Sequence, residues 1–449
     1  MIVGERLPPF CGNFRCSAAS KQQNICKGGI THEAETTHLP AALLLGACGS
    51  PAAPTEATEE TKPTDAGLDP VVPSDAVESS EKPEPVEDLT VPDQTAAVGG
   101  ANFALGLLRS AAKPDATTIL SPYSALLALG MAANGAGGRT LEEMEYALGA
   151  KLDDLNAWLA SCRAAEDGEV VSANSIWTRN GTVQLLPEFR QTMEQKYGAE
   201  VHAGDLSVAA INEWVDSNTK GRIKKLLEQD DPSIVTYLIN AMTFDAEWAS
   251  PYEPQSCSEG TFHASDGTEQ TVTYLSGEER GYLEVAGATG FVKHYSGGRY
   301  SFAGLLPAEG TTPEELLEAL DGATLLNALC EPQAKKVYTR MPKFTASTTA
   351  SLRPVLEAMG MQTAFTDAAD FSLLSDTPLK IDAVQQKTYL QVDESGTIGA
   401  AVTSLPIMET TAVETEPPKY VELTRPYLCV IFDHETQSIV FLGIVNQIS

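Results

Sequence analysis

The stretch from Gln386 to Val402, QKTYLQVDESGTIGAAV, constrains the fold of this 449-residue chain most strongly. Lys387 to Val392 alternates with the period of a strand, Thr388, Leu390 and Val392 on one side and Tyr389 and Gln391 on the other. Asp393-Glu394-Ser395-Gly396 breaks the pattern, and from Thr397 to Met408 no side chain is charged. Side chains alternate by parity along an extended chain. One set is Thr397, Gly399, Ala401, Thr403, Leu405 and Ile407, small first and larger later. The other is Ile398, Ala400, Val402, Ser404, Pro406 and Met408. A segment that enters the middle of a packed sheet needs this composition, because bulky or charged groups facing the core cost several kcal/mol or force the sheet apart.

Charge and motif content exclude several classes. There are 61 acidic and 30 basic residues, a formal net charge of −31. That balance disfavours nucleic acid and anionic membrane surfaces, and favours solubility and cationic partners. Eight cysteines include no C-x-x-C pair, and the six histidines form neither H-x-x-x-H nor H-E-x-x-H. No zinc or thioredoxin-like site is expected, and no metal or cofactor. G-x-S-x-G and G-x-x-x-x-G-K-[ST] are also missing, so the chain does not read as an enzyme.

The first hundred residues differ from the rest. An apolar run from Leu39 to Ala47 leads into Cys48, too short to span a bilayer. Leu45-Gly46-Ala47-Cys48 resembles a bacterial lipobox, which implies a lipid-anchored Cys48, cleavage before it, and an extracellular or cell-surface protein. The preceding residues Thr31 to His38 carry no Lys or Arg, a departure from an ordinary signal. Pro51 to Thr95 holds twelve acidic and two basic residues and no aromatic, a composition expected to stay disordered and extended. The organisation expected is a signal region over 1–48, an acidic tether over 49–97 and a folded domain over 98–449.

Within that domain, Phe103, Leu107 and Leu108 share a helical face. Ser121 is a natural N-cap and Pro122 a natural first residue for an apolar helix reaching Met131. After Asn134-Gly-Ala-Gly-Gly138, Thr140 is expected to open a helix over Leu141 to Leu148. Strands are expected at Ala173–Trp177, Leu238–Trp248 and Val337–Phe344. Arg425–Phe432 and Ser438–Val445 read as a terminal strand pair.

The order and spacing of these blocks, with the Gln386–Val402 hinge, resemble the serpins, a family of serine protease inhibitors whose reactive loop inserts into its own sheet. The resemblance covers residues 98 to 449. It implies an α+β fold of three β-sheets with surrounding helices and an exposed C-terminal reactive loop. It also implies a monomer whose partner is a serine protease, held as a covalent acyl complex, with any membrane contact made through the lipid anchor alone. The hinge would be Glu394, Gly396, Thr397, Ile398, Gly399, Ala400, Ala401 and Val402. The region where the sheet opens would include Ser121, Pro122, Ser124, Asn240, Trp248 and Gln386. Ile398 stands where the family usually has Glu, Gly399 where it has Ala, and Gln386 where it has His. Pro406 lacks a ladder donor but falls late in the inserting segment.

The family's length rule, fourteen residues beyond the hinge glycine Gly396, places the reactive bond at Thr410–Thr411. Neither Arg nor Lys occurs between Lys387 and Lys419, so a trypsin-like target is not expected. A small uncharged residue at the cut suits shallow pockets, as in elastase-like or subtilisin-like proteases. The competing expectations are a non-inhibitory serpin-fold binding protein and a plain protease substrate.

Overall fold

A computed structural model describes residues 89–204, 206–219, 221, 224–397 and 417–448, and the backbone of 41–47. Among these the strands are, in chain order, β1 (Ala41–Ala47), β2 (Thr118–Leu120), β3 (Val170–Arg179), β4 (Glu200–Gly204), β5 (Ile234–Phe244) and β6 (Ala246–Glu247). Next come β7 (Cys257–His263), β8 (Glu269–Val285), β9 (Ala288–His294), β10 (Tyr300–Leu306), β11 (Gln333–Pro342) and β12 (Phe344–Ser351). The last are β13 (Leu379–Val392), β14 (Gly396–Thr397), β15 (Lys419–Glu422), β16 (Tyr427–Asp433) and β17 (Ile439–Val445).

The architecture is the expected α+β arrangement of three sheets with helices around them. The first sheet runs β4-β3-β5, then β1, then β13 and β12. The other two are joined through β8, whose 17 residues serve both. Its first part pairs with β7 and β11, and β11 carries β15. Its last part pairs with β9, and the series continues through β10, β16 and β17 to β2. β16 and β17 are buried at every position, which is why they read as unbroken apolar runs rather than alternating ones.

Beneath the first sheet lies helix Pro122–Ala133, buried at all twelve positions. Ser121 caps it, its hydroxyl accepting from the Ser124 N–H at 3.4 Å, with Pro122 at the first turn as the sequence indicates. Three expected elements differ; the strand expected over Leu238–Trp248 is β5, ending at Phe244, followed by the short β6, with Trp248 beyond it. The helix assigned to Leu141–Leu148 begins at Gly138, whose φ of +49° turns the chain earlier than Thr140. The Thr140 hydroxyl instead accepts from the Asp370 N–H at 2.9 Å. The strand expected over Val337–Phe344 is two strands: β11 ends at Pro342, and past Lys343 the chain joins the first sheet as β12. Proline has no N–H with which to prolong the first ladder.

Two histidines meet where β9, β10 and the β16–β17 turn converge. The Ser301 hydroxyl lies 2.7 Å from His294 Nδ1 and 2.8 Å from His434 Nε2, and it can donate to one ring while accepting from the other, or accept from both. Burial holds both imidazoles below their ordinary value, and for His434 the neighbouring His294 adds to this. The unfolded chain therefore binds protons first as pH falls below about 6.5, and the stability these rings contribute above that value is lost on acidification. Glu169 has the opposite sign. Burial, then the Asp167 charge, raises its carboxyl to about 7, so its contribution fades as pH rises through that value. Comparing variants isolates the histidine part. His434→Gln is expected to lose less stability than the parent between about pH 7.5 and 5.5, read as urea midpoints. Equal losses in the two chains would exclude this role.

Candidate functional site

The segment expected to serve as the hinge opens on an aspartate turn. Asp393 Oδ1 accepts from the N–H groups of Ser395 (2.8 Å) and Gly396 (3.2 Å), and the Asp393 N–H donates to Gly396 O at 3.0 Å. This reverses β13 and sends Gly396–Thr397 back as β14, antiparallel to β13 on one side and to β6 on the other. A Cβ on Gly396 would collide with the Ala246 carbonyl and the Glu247 backbone, so only glycine fits this close approach. Thr397 is fully buried, its hydroxyl 2.6 Å from that of Tyr295. Gly396 and Thr397 thus already lie inside the sheet, with the Thr397 side chain facing the core.

Trp248 and its neighbours hold this turn. Its indole N–H donates to Asp393 O at 2.8 Å, its backbone N–H donates to Ser395 O at 2.9 Å, and its ring stacks on Tyr295 at 4.4 Å. Buried Lys293 lies against the rings of Trp248 and Tyr252, 5.3 and 4.3 Å from their centres, and pairs with Glu279 at 2.8 Å. The Tyr252 N–H donates to Glu394 O at 2.8 Å. Lys343 and Glu394 pair at 2.7 Å, which lowers the carboxyl and raises the amine from their ordinary values. Both side chains are substantially exposed, so the pair is worth about 1 kcal/mol or less.

Midway down the sheet, Gln386 on β13 and Asn240 on β5 are tied to the start of helix Pro122–Ala133. The Gln386 amide accepts from the Ser121 N–H at 3.0 Å and donates to Ser121 O at 2.8 Å. Ser124 Oγ donates to Asn240 Oδ1 at 2.6 Å, and Asn240 donates on to Asn174 at 3.1 Å. One helix end therefore fixes both banks of the slot. An amide answers both Ser121 backbone groups without titrating, which accounts for Gln386 in physical terms. Gln386→Ala would leave the buried Ser121 N–H unpaired, while Ser121 O keeps the Ala125 N–H at 3.1 Å. It is expected to cost about 1–3 kcal/mol, read from the urea midpoint, and a change below about 0.5 kcal/mol would contradict this linkage.

The sequence-derived residues Ser121, Pro122, Ser124, Asn240, Trp248, Gln386, Glu394, Gly396 and Thr397 therefore fall into two groups: one around the Asp393 turn and one linking mid-sheet to the helix start. Ile398, Gly399, Ala400, Ala401, Val402, Thr410, Thr411 and Cys48 lie outside the described residues. Sequence reasoning missed Tyr295, Lys343, Asp393 and Thr388. The Thr388 hydroxyl donates to Ile119 O, and the Ile119 N–H donates to Thr348 Oγ1 at 2.9 Å. It also missed β1, since a short apolar run reads equally as a signal segment or a buried strand. Among the described residues no cluster of His, Cys, Asp and Glu fits a metal.

Known proteins share this architecture. The family model for Serpin (serine protease inhibitor) matches residues 99–448. An uncharacterized serpin-like protein of Thermococcus kodakarensis is 30% identical over 76% of this chain and 83% of its own. Corticosteroid-binding globulin of Oryctolagus cuniculus is 29% identical over 78% of this chain and 95% of its own. The native crystal structure of the thermophilic serpin tengpin superposes with a TM-score of 0.71 at 35% identity, covering 82% of this chain and 97% of that one.

Proposed function

This chain belongs to the serpin family, and from that premise we propose that it is a single-turnover inhibitor of serine proteases, acting by cleavage and insertion of its own reactive loop. The observation that carries this reading is the seated hinge, with Val392 opposite Thr397 and the small neutral segment following directly. Continuing that antiparallel register residue by residue would set Val402 opposite Lys387, Thr403 opposite Gln386 and Thr410 opposite Leu379, the first residue of β13. Thr410 would then be the last residue the strand can pair, which supports Thr410–Thr411 as the reactive bond.

The protease serine attacks the Thr410 carbonyl carbon, its proton passes through the protease's base to the Thr411 amine, and the Thr410–Thr411 peptide bond breaks. Thr410 is left as an ester on the protease serine. Insertion of Ile398 to Thr410 adds ladder hydrogen bonds worth about 1 kcal/mol each net, and draws the ester along the sheet before water can reach it. The catalytic nucleophile is the target's, and this chain contributes the bait and the sheet. Thr410 suits the shallow pockets of elastase-like or subtilisin-like enzymes. The purified chain without residues 1–47, mixed separately with neutrophil-type elastase and subtilisin, is expected to give a complex that survives a denaturing gel. Cleavage without complex would favour the second reading, a non-inhibitory serpin, which gains support from β1 already filling part of the slot.

We propose further that Cys48 is lipidated and that residues 49–97 hold the domain off a cell surface as a monomer. Expressed in a bacterium, the chain is expected to incorporate labelled palmitate and Cys48→Ala to lose at least about nine-tenths of it, as two acyl chains on one cysteine require. Equal labelling of the two would discard the anchor.

A further inference from the structure

Trapping needs the whole slot between β5 and β13, and the lower half of that slot already holds a strand. β1 is antiparallel to both banks, Ala41 opposite Gln386 and Ala47 opposite Leu379 on one side, Ala42 opposite Ile239 and Gly46 opposite Ile234 on the other. β14 at the top of the same lane has the same polarity, antiparallel to β13 and to β6. The two therefore compete for one row of partners. With Val392 opposite Thr397, an inserting loop runs free past Gln391 to Lys387, places that Ile398 to Val402 would take. At Gln386, where Thr403 would pair, Ala41 already sits. From there to Leu379 every β13 residue except Asp382, at a register shift, is already paired with β1.

The occupant has the composition the slot selects. Ala41 to Ala47, AALLLGA, is uncharged, as is the segment from Thr397 to Met408. The chain between Ala47 and Ala96 is 48 residues long. It can reach at most about 160 Å, so neither end of the domain limits where the strand seats.

We propose that residues 41–47 are an intramolecular occupant of the lower slot that halts loop insertion at Val402, and that losing this segment, by cleavage before Cys48, arms the inhibitor. This rests on the inhibitor reading above. The uncleaved chain would be cut at its loop as a substrate, because a loop stopped at Val402 leaves the acyl ester near the top of the sheet, open to water. The processed chain would trap.

The test compares the full chain with its Leu43→Pro/Leu45→Pro variant. Proline removes ladder donors from a strand paired on both edges, whichever way its side chains point. Two readouts are taken: amide hydrogen exchange over 234–239 and 379–386 without any protease, and the yield of covalent complex with subtilisin. The variant is expected to exchange at least ten-fold faster in those segments and to give at least ten-fold more complex. Adding an excess of the acetylated and amidated peptide AALLLGA should reverse both. Leu44→Pro, of the opposite parity, should act alike and guards against one variant that misfolds. Equal exchange in parent and variants would show that the segment is not seated and overturn the proposal. Faster exchange with equally high complex yields would show a seated strand that does not block, and also overturn it. Faster exchange, reversed by the peptide, with no complex from any chain would uphold the occupant and remove the inhibitor reading instead.

Discussion

In the chain without residues 1–47, Ala401→Arg is expected to turn the proposed inhibitor into a substrate. Thr397 is fully buried against Tyr295, and Gly399, Ala401 and Thr403 share its parity, so position 401 faces the core once the loop is in the sheet. An arginine there has no partner, and an unpaired buried charge costs several kcal/mol. Insertion races hydrolysis of the acyl ester, and each 1.4 kcal/mol added to the insertion barrier slows it about ten-fold. The number of inhibitor molecules consumed per protease silenced should therefore rise at least about ten-fold, while the rate of cleavage at the loop stays the same. Val402→Arg, of the other parity, should do much less. Equal effects at the two positions would mean that the register carried on from Thr397 is wrong.

Thr410→Arg is expected to change the target class. A shallow pocket that takes threonine has no room or counter-charge for a guanidinium, whereas a trypsin-like pocket presents a carboxylate to it. Inhibition of a trypsin-like protease should quicken by about 10³-fold or more, roughly 4 kcal/mol of transition-state binding, while subtilisin or elastase inhibition falls. The loop still inserts, because position 410 lies at the end of the register opposite Leu379. Unchanged specificity would place the reactive bond elsewhere, at Met408–Glu409 or Ile407–Met408.

Much of this site was legible in the sequence because its signals are local. Ser121-Pro122 carries its own cap, the terminal strands are unbroken apolar runs, and the hinge is marked by its lack of charge. Contacts between distant residues were not legible. Thr397 meets Tyr295 across 102 positions, and Gln386 meets Ser121 across 265, with no pattern in either segment that names the other. Gln386 read as the loss of a titrating group, and only its paired bonds to Ser121 show why an amide serves there. The seating of Ala41–Ala47 was hidden for a different reason. Seven apolar and small residues satisfy a signal segment and a buried strand alike, and only the register against Gln386 and Ile239 separates them.

The most direct measurement is the mass of the C-terminal peptide released when the chain meets a subtilisin-like or elastase-like protease, taken together with a denaturing gel. A peptide beginning at Thr411 is expected from the full chain and from the chain without residues 1–47, with the covalent complex formed by the latter. A peptide beginning at Thr411 with no complex from the full chain, and none after removal of residues 1–47, would contradict trapping by loop insertion.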